Sequence, residues 1–237
     1  EALKSALSAE GFSIESGVAD IPTAFVASYG SGEPVIAVMG EFDALPGISQ
    51  AAVPFEQKIE GKNAAQACGH HLFGAGSAGA AIAVKEWLER TGTPGTIQFF
   101  GTPAEEGGSG KVYMVRAGLF DDVDTVIHWH PSSVNAADSA STLANRSAKF
   151  TFAGVSSHAA SAPDRGRSAL DAVEAMNFMV NLLREHVPTS TRLHYVITNG
   201  GSAPNVVPNT AQSFYYVRHP NELSLIHISE PTRPSII

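Results

Sequence analysis

The 237-residue sequence predicts an α/β fold, with a parallel-sheet domain followed by a smaller α+β domain. Three continuous apolar runs, at residues 34–39, 96–100 and 125–129, are typical of strands that are covered on both faces. Two helix-like segments, at 72–90 and 110–117, lie between these runs. Because strands and helices alternate, we expect a parallel sheet in the first domain.

The two helices of this domain are indicated by their composition and by their ends. Residues 72–90 are rich in alanine, which favours a helix, and finish with charged side chains. Gly92 and Pro94 follow and end the helix. The shorter segment at 110–117 is followed by Gly118, so both helices have defined boundaries.

Acidic and histidine side chains follow each of the three predicted strands. Asp43 comes after the first strand, Glu105 and Glu106 after the second, and His130 after the third. The carboxyl ends of parallel strands form a common edge, where ligands bind in open α/β sheets. The topology therefore predicts that these four side chains share one site.

The single cysteine of the chain, Cys68, lies two residues before His70. One cysteine excludes an internal disulfide framework. Thiolate and imidazole groups are both good ligands for zinc-like ions, so Cys68 and His70 predict part of a metal site. A small buried core residue is the alternative interpretation of Cys68.

A second domain is predicted to begin near Leu143, after a small and polar connection at 132–141. It contains a strand, a helix and two further strands, over residues 148–153, 168–185, 193–198 and 212–217. Ser168 and Asp171 form an S-x-x-D pattern at the start of this helix. Such a βαββ unit is a small α+β domain.

Five motifs together resemble the M20 family of metallopeptidases and amidohydrolases, and the aminobenzoyl-glutamate utilisation subgroup within it. The similarity runs from about residue 1 to residue 221. The motifs are GEFDALPG at 40–47, CGH at 68–70, PAEEGG at 103–108, WHP at 129–131, and SHAA at 157–160 together with GRSALDA at 166–172.

The resemblance implies a parallel-sheet metallohydrolase catalytic domain, interrupted by a smaller α+β lid domain that also forms a homodimer. We therefore expect residues 1–142 to be the N-terminal part of the catalytic domain and residues 143–222 to be part of the lid, both incomplete. Residues 223–237 lack the similarity and resemble a translated sequencing adapter, which predicts a non-native tail. On this interpretation the chain is a truncated piece of a longer enzyme.

The resemblance also implies roles for individual residues. Four positions match the family's metal ligands: Cys68, His70, Glu106 and His130. Glu105 matches the general base, and Asp43 matches a carboxylate that supports the site. His158 is expected to reach the substrate carbonyl, in the site of the partner subunit, and Asn205 is expected to help position the substrate. His71 and His128 receive no role.

These residue types suit metal-assisted hydrolysis. A metal ion lowers the pKa of a bound water, and a nearby carboxylate can take the proton and pass it to the leaving amine. One of two adjacent glutamates can bind the metal while the other transfers the proton. Two divalent ions are expected, with zinc and manganese both open, because histidine and carboxylate serve either metal.

We therefore predict a metal-dependent hydrolase that cleaves the amide bond of a small molecule, an N-acyl amino acid or an aminobenzoyl-glutamate-like substrate. The alternative is a catalytically inactive fragment that binds metal or dimerises. A zinc nucleobase deaminase is disfavoured because the chain lacks a P-C-x-x-C pair. A serine hydrolase is disfavoured because no G-x-S-x-G follows a strand.

Charge and hydropathy exclude two classes of partner. The formal net charge of −8 argues against nucleic acid. No apolar stretch approaches the roughly 20 residues that span a bilayer. The first residues carry no signal-like segment. We expect no nucleic-acid partner, no membrane association and a cytoplasmic location.

Overall fold

The computed structural model describes residues 1–137 and 141–229, and the chain divides into two units, Glu1–Ala136 and Ala137–Ile237. The predicted domain boundary between residues 142 and 143 lies close to this division along the sequence and stays a prediction. Part of the predicted connection, residues 138–140, and the last part of the predicted tail, residues 230–237, lie outside the described residues.

Within residues 1–137, the first unit is built on a mixed sheet of five strands in the order β1-β2-β6-β3-β7. A separate pair of short strands, β4 and β5, is antiparallel. The strands are β1 (Ser13–Ser16), β2 (Phe25–Ser31), β3 (Val35–Glu41), β4 (Leu45–Pro46), β5 (Ala64–Ala65), β6 (Gly95–Thr102) and β7 (Thr125–Ile127).

The three strands predicted from the sequence are β6, β3 and β7, and they are parallel, as expected. Strands β1 and β2 were not predicted, and β2 pairs antiparallel with β6. Polar and small residues such as Ser28 and Gly30 interrupt the apolar run of β2, so its sequence lacks the signal of a buried strand. The sheet is therefore mixed, with a parallel core.

Helices cover both faces of this sheet. The helices of the unit are α1 (Ala2–Ala9), α2 (His70–Thr91), α3 (Glu105–Gly108) and α4 (Gly110–Arg116). One apolar cluster joins α1 and α2 to one face, through residues such as Leu7, Ala81 and Phe99. A second cluster on the other face includes Met114 of α4 and Phe100 of β6. Burial of these side chains supplies the main stabilising term of the unit.

Strand β7 departs from the expectation of a strand that is covered on both faces. It lies at the end of the strand order, and Val126 and Ile127 are 41% and 52% exposed. In the described part of the chain, β7 pairs only with β3 and has no strand on its other side. The apolar side chains of β7 are therefore partly exposed.

The second unit has the predicted βαββ order. Between residues 141 and 229, three antiparallel strands lie in the order β8-β10-β9, with β8 (Ala144–Ala153), β9 (Arg192–Asn199) and β10 (Thr210–His219). Helix α5 (Ala169–Leu183) packs on them through Ala169 and Val173. Ser168 Oγ accepts a hydrogen bond of 3.1 Å from the Asp171 amide, which confirms the predicted capping pattern.

The predicted tail begins inside the last helix, α6 (Glu222–Ser229). Leu225 is 2% exposed and packs with Leu193 and Val217 in a cluster of the second unit. The first residues of the predicted tail therefore contribute apolar contacts to this unit, and their non-native origin stays a prediction. None of the helices in the described ranges has the length and apolar character needed to cross a membrane.

Candidate metal centre

His70, the first residue of α2, lies at the centre of the candidate site. Its side chain is fully buried, and both ring nitrogens face carboxylates. Nδ1 is 3.0 Å from Asp43 Oδ1, and Nε2 is 2.9 Å from Glu41 Oε2. Gly69 precedes it with a φ of 82°, a left-handed conformation that favours glycine and lets the helix begin at His70.

The Asp43 and Glu41 carboxylates contact different nitrogens of the His70 ring, and the two contacts differ in kind. A carboxylate can only accept a hydrogen bond, so His70 Nδ1 carries the proton that is donated to Asp43. When the ring carries this single proton, Nε2 has a lone pair that can bind a cation. Among the described residues, neither Nε2 nor Glu41 Oε2 has a hydrogen-bond partner, although both atoms are buried. Two electron-rich atoms that face each other at this distance suit a cation between or beside them.

Asp43 connects the imidazole to the loop after β6. Its Oδ2 atom accepts a hydrogen bond of 2.9 Å from the Glu106 amide, while Oδ1 faces His70. One carboxylate therefore holds the orientation of the ring and the position of the Glu105-Glu106 turn. This arrangement is typical of an outer-shell carboxylate at a metal site.

Cys68 and His130 lie on another side of His70. Cys68 Sγ is 3.4 Å from His130 Nε2, and the three residues offer ligand atoms within 4.8 Å of one another. Burial is the main cause that raises the pKa of the Cys68 thiol, and the nearby Glu106 and Glu105 carboxylates raise it further. A bound cation would oppose both effects, because it stabilises the thiolate.

A second group of ligand atoms shares the same histidine. Glu41, His70 and Glu105 also offer atoms within 4.8 Å of one another, with Glu105 Oε2 at 4.0 Å from His70 Nε2. Glu106 lies outside both groups, although its carboxylate is near enough to the Cys68 thiol to raise the pKa of that thiol. Within the described residues its Oε1 atom is buried without a hydrogen-bond partner. The donors present therefore fit one or two divalent cations.

Sequence reasoning gave no role to Glu41, Lys111 or His128. Lys111 Nζ of α4 makes an ion pair with Glu41 Oε1, and His128 Nε2 lies 3.9 Å from the same oxygen. Burial is the main cause that lowers the pKa of His128. Strand β7 ends at Ile127, before His128, so the alternation of side chains along a strand does not determine which way the His128 side chain points. Glu41 stands inside the GEFDALPG motif, whereas nothing in the sequence pattern marks Lys111.

His158 and Asn205 lie together in the second unit. His158 forms a β-bridge with Val206, and its Nδ1 atom accepts hydrogen bonds from the amides of Ala160 and Ser161, both at 3.2 Å. The Asn205 carbonyl accepts a hydrogen bond of 3.0 Å from the amide of Ala159. A depression of about 510 Å³ adjoins them within this unit. Their substrate-binding roles stay predictions.

Comparison with known proteins identifies the family. The model of the peptidase family M20/M25/M40 matches residues 37–235. The chain belongs to this family. As an M20 chain it is 48% identical to one of the subunits of Escherichia coli p-aminobenzoyl-glutamate hydrolase over 231 residues, which cover 96% of the chain and 48% of that protein. It is 33% identical to mouse Xaa-Arg dipeptidase over 210 residues, which cover 85% of the chain and 45% of that protein.

Solved structures show the same M20 fold. The aminobenzoyl-glutamate utilization protein from Klebsiella pneumoniae has a TM-score of 0.63 and 22% identity, over 96% of this chain and 63% of that one. The Bacillus subtilis YXEP protein, described as a dinuclear metal binding peptidase from the M20 family, has a TM-score of 0.60 and 21% identity, over 96% and 59%. The M20 chain described here spans about half the length of the curated relatives it matches.

Proposed function

We propose that this chain forms the metal-binding part of an amide hydrolase that acts on acyl-glutamate-like substrates. One observation carries the metal part of the proposal. The buried His70 Nε2 faces a buried Glu41 oxygen at 2.9 Å, and neither atom has a hydrogen-bond partner among the described residues. Membership of the M20 family and the 48% identity to a p-aminobenzoyl-glutamate hydrolase chain support the reaction and the substrate class.

Two divalent ions would be held by the residues around His70. We assign as ligands Cys68, His70 and His130, whose ligand atoms lie within 4.8 Å of one another, together with Glu106, which matches the family motif. The thiolate favours zinc, whereas the histidines and carboxylates also serve manganese. When bound, such ions lower the pKa of a water molecule and polarise the carbonyl of the scissile amide.

Three carboxylate side chains of the site have different proposed roles, namely those of Asp43, Glu105 and Glu106. Asp43 keeps the proton of His70 on Nδ1, which leaves Nε2 for a cation. Glu105 is 46% exposed, so it can accept a proton from water and donate it to the leaving amine. The Glu106 side chain lies beside the Cys68 thiol and has a buried unpaired oxygen, so it suits ligation better than proton transfer.

We also propose that residues 143–222 act as the lid and form a dimer. His158 would contact the substrate carbonyl and Asn205 would position the substrate. The exposed apolar side chains Phe178, Met179 and Leu182 on α5 support an interface on this unit. Two different Escherichia coli relatives are named as subunits of p-aminobenzoyl-glutamate hydrolase, so a dimer with an unlike chain is the competing arrangement.

The test is metal content by elemental analysis, together with hydrolysis of an acyl-glutamate panel that includes p-aminobenzoyl-glutamate. Both are measured on this chain and on a version extended to the length of the Escherichia coli relative. Metal with turnover in the extended version supports the proposal. Metal without turnover favours the alternative of an inactive metal-binding module, and no metal in either version refutes the site.

Replacing Glu105 by Gln separates proton transfer from metal binding. We expect the extended enzyme to keep its metal and to lose at least about 100-fold in kcat, because Gln cannot accept the proton. Glu86→Gln, at an exposed position of α2, is the matched control and should leave kcat unchanged. Unchanged turnover in Glu105→Gln would remove Glu105 from the mechanism.

A further inference from the structure

The sheet and the hydrogen bonds of His130 explain its position only in part, since its Nε2 atom faces Cys68 Sγ at 3.4 Å and its other ring nitrogen has a local partner. Strand β7 ends at Ile127, and the His130 side chain is exposed. Its Nδ1–H donates a hydrogen bond of 2.9 Å to the carbonyl of Pro131, the next residue in the chain. Such a local contact cannot fix the ring relative to another element. Beyond the Cys68 contact and the His70 ring, whose centroid is 5.5 Å away, packing on α2 contributes to the position of His130.

Phe73 of α2 supplies the first part of that packing. Its side chain is fully buried, and its ring contacts those of three consecutive residues, His128, Trp129 and His130. The ring centroids are 5.0, 5.5 and 6.2 Å apart, with interplanar angles of 81°, 61° and 71°. Edge-to-face contacts of this kind are directional, so they orient the segment as well as bury it.

Trp129 makes two further contacts with the same helix. Its Nε1–H donates a hydrogen bond of 3.0 Å to Ser77 Oγ, and Ser77 is 2% exposed. The indole also lies directly on the helix at Gly76, where a Cβ atom would come within 2.8 Å of Trp129 Cζ2. Any larger residue at position 76 would therefore push the indole away from the helix.

The contact residues share one face of α2 with the central ligand. His70, Phe73 and Ser77 are spaced by three and four residues, so they follow one another along the helix. The helix that starts with His70 thus also holds the segment that carries His130. A shift of Trp129 on this face would change the distance between His130 and the Cys68-His70 pair.

We infer that Trp129 is a positioning residue. Its contacts with Gly76 and Ser77 hold His130 where it can bind a metal ion. The inference rests on the proposed function, because it takes Cys68, His70 and His130 as ligands. Residues that orient a ligand from outside the coordination sphere typically change metal affinity by about 10- to 100-fold when they are mutated. We expect a loss of that size in Gly76→Ala.

The experiment is a titration of the metal-free chain with Co²⁺, followed by the visible absorption bands and the near-ultraviolet band of a thiolate ligand. Gly79→Ala is the matched control, since it lies on the same helix and a Cβ there would meet nothing within 4 Å among the described residues. Cys68→Ser identifies the thiolate band. Far-ultraviolet circular dichroism shows that each variant is folded.

The expected result is wild-type affinity in Gly79→Ala and about 10- to 100-fold weaker Co²⁺ binding in Gly76→Ala, with an altered thiolate band. Trp129→Phe keeps a ring against Phe73 and loses the hydrogen bond to Ser77, so its affinity should fall between the two. A role of Trp129 confined to stability would lower the unfolding midpoint and leave the spectrum of the bound ion unchanged.

Two failures can be told apart. If the wild-type chain binds Co²⁺ without a Cys68-dependent band, the proposed metal site is wrong and this inference falls with it. If the wild type shows the band and folded Gly76→Ala binds Co²⁺ equally well, only the positioning role of Trp129 is refuted. Should Gly76→Ala not fold, Trp129→Phe decides, and unchanged affinity and spectrum in that variant refute the inference.

Discussion

Replacing Lys111 by Met would leave a buried carboxylate without its cation. Glu41 is 3% exposed at the end of β3, and Lys111 on α4 forms an ion pair with its Oε1 atom. The other oxygen of Glu41 lies 2.9 Å from His70 Nε2. Met has nearly the length and volume of Lys, so the substitution removes the charge and the donor while it preserves the packing.

The cost follows from the burial of the two partners. Removing one partner of a fully buried ion pair destabilises a protein by about 3–5 kcal/mol, because the remaining charge stays uncompensated. The side chain of Lys111 is 26% exposed, so water reaches the pair in part. We therefore expect a smaller loss, about 2–3 kcal/mol in the free energy of unfolding of the first unit without metal.

Urea denaturation of the metal-free chain, followed by tryptophan fluorescence, measures this loss. The two tryptophans of the sequence, Trp87 and Trp129, both lie in the first unit, so the signal reports the unfolding of that unit. With a urea dependence of about 1–3 kcal/mol/M, a loss of about 2–3 kcal/mol should lower the midpoint by roughly 0.7–3 M.

A double variant tests the reasoning. Adding Glu41→Gln to Lys111→Met removes both charges, and we expect at least half of the lost stability to return, because no buried charge remains. Stability of Lys111→Met within about 0.5 kcal/mol of wild type would refute the argument. A double variant as unstable as the single one would also refute it.

The other predictions concern the second unit. Leu225→Ala should lower its free energy of unfolding by about 2–3 kcal/mol, since Leu225 is 2% exposed, whereas Leu223→Ala, 69% exposed, is the control. Circular dichroism during denaturation measures both, and a neutral Leu225→Ala would mean that α6 contributes nothing to this unit. Burial, with a smaller contribution from Tyr195, raises the pKa of Tyr215 from 10.0 to about 12. The stability that depends on the protonated phenol is therefore complete below pH 10 and is lost as the pH rises towards 12. Tyr215→Phe should remove the tyrosine that titrates at about 12 from an alkaline absorbance titration, and a missing group with a midpoint near 10 would contradict this assignment.

Several features of the fold could be predicted because they depend on local sequence patterns. The apolar runs of β3 and β6 and the alanine-rich α2 have the periodicity and length of their elements. The rule that ligands bind at the carboxyl ends of parallel strands predicted that Asp43 and Glu105 would lie near each other. The structure places Glu105 within reach of His70, which contacts Asp43.

Other features depended on contacts between residues distant in sequence. The mixed character of the sheet comes from β2, which pairs antiparallel with β6, and from β1, which pairs antiparallel with β2; no local sequence pattern predicted either pairing.

The sequence by itself determined which elements form and which reactive groups follow the strands, because hydrophobic periodicity and strand ends are local properties. Only the tertiary structure decided how those groups are supported. The ion pair of Lys111 with Glu41 joins residues 70 positions apart, and the contact of Trp129 with Ser77 joins residues 52 positions apart. The burial and orientation of these side chains arise only when α2, α4 and the sheet pack together. The residues adjacent in sequence do not determine which distant side chain will cover a given residue.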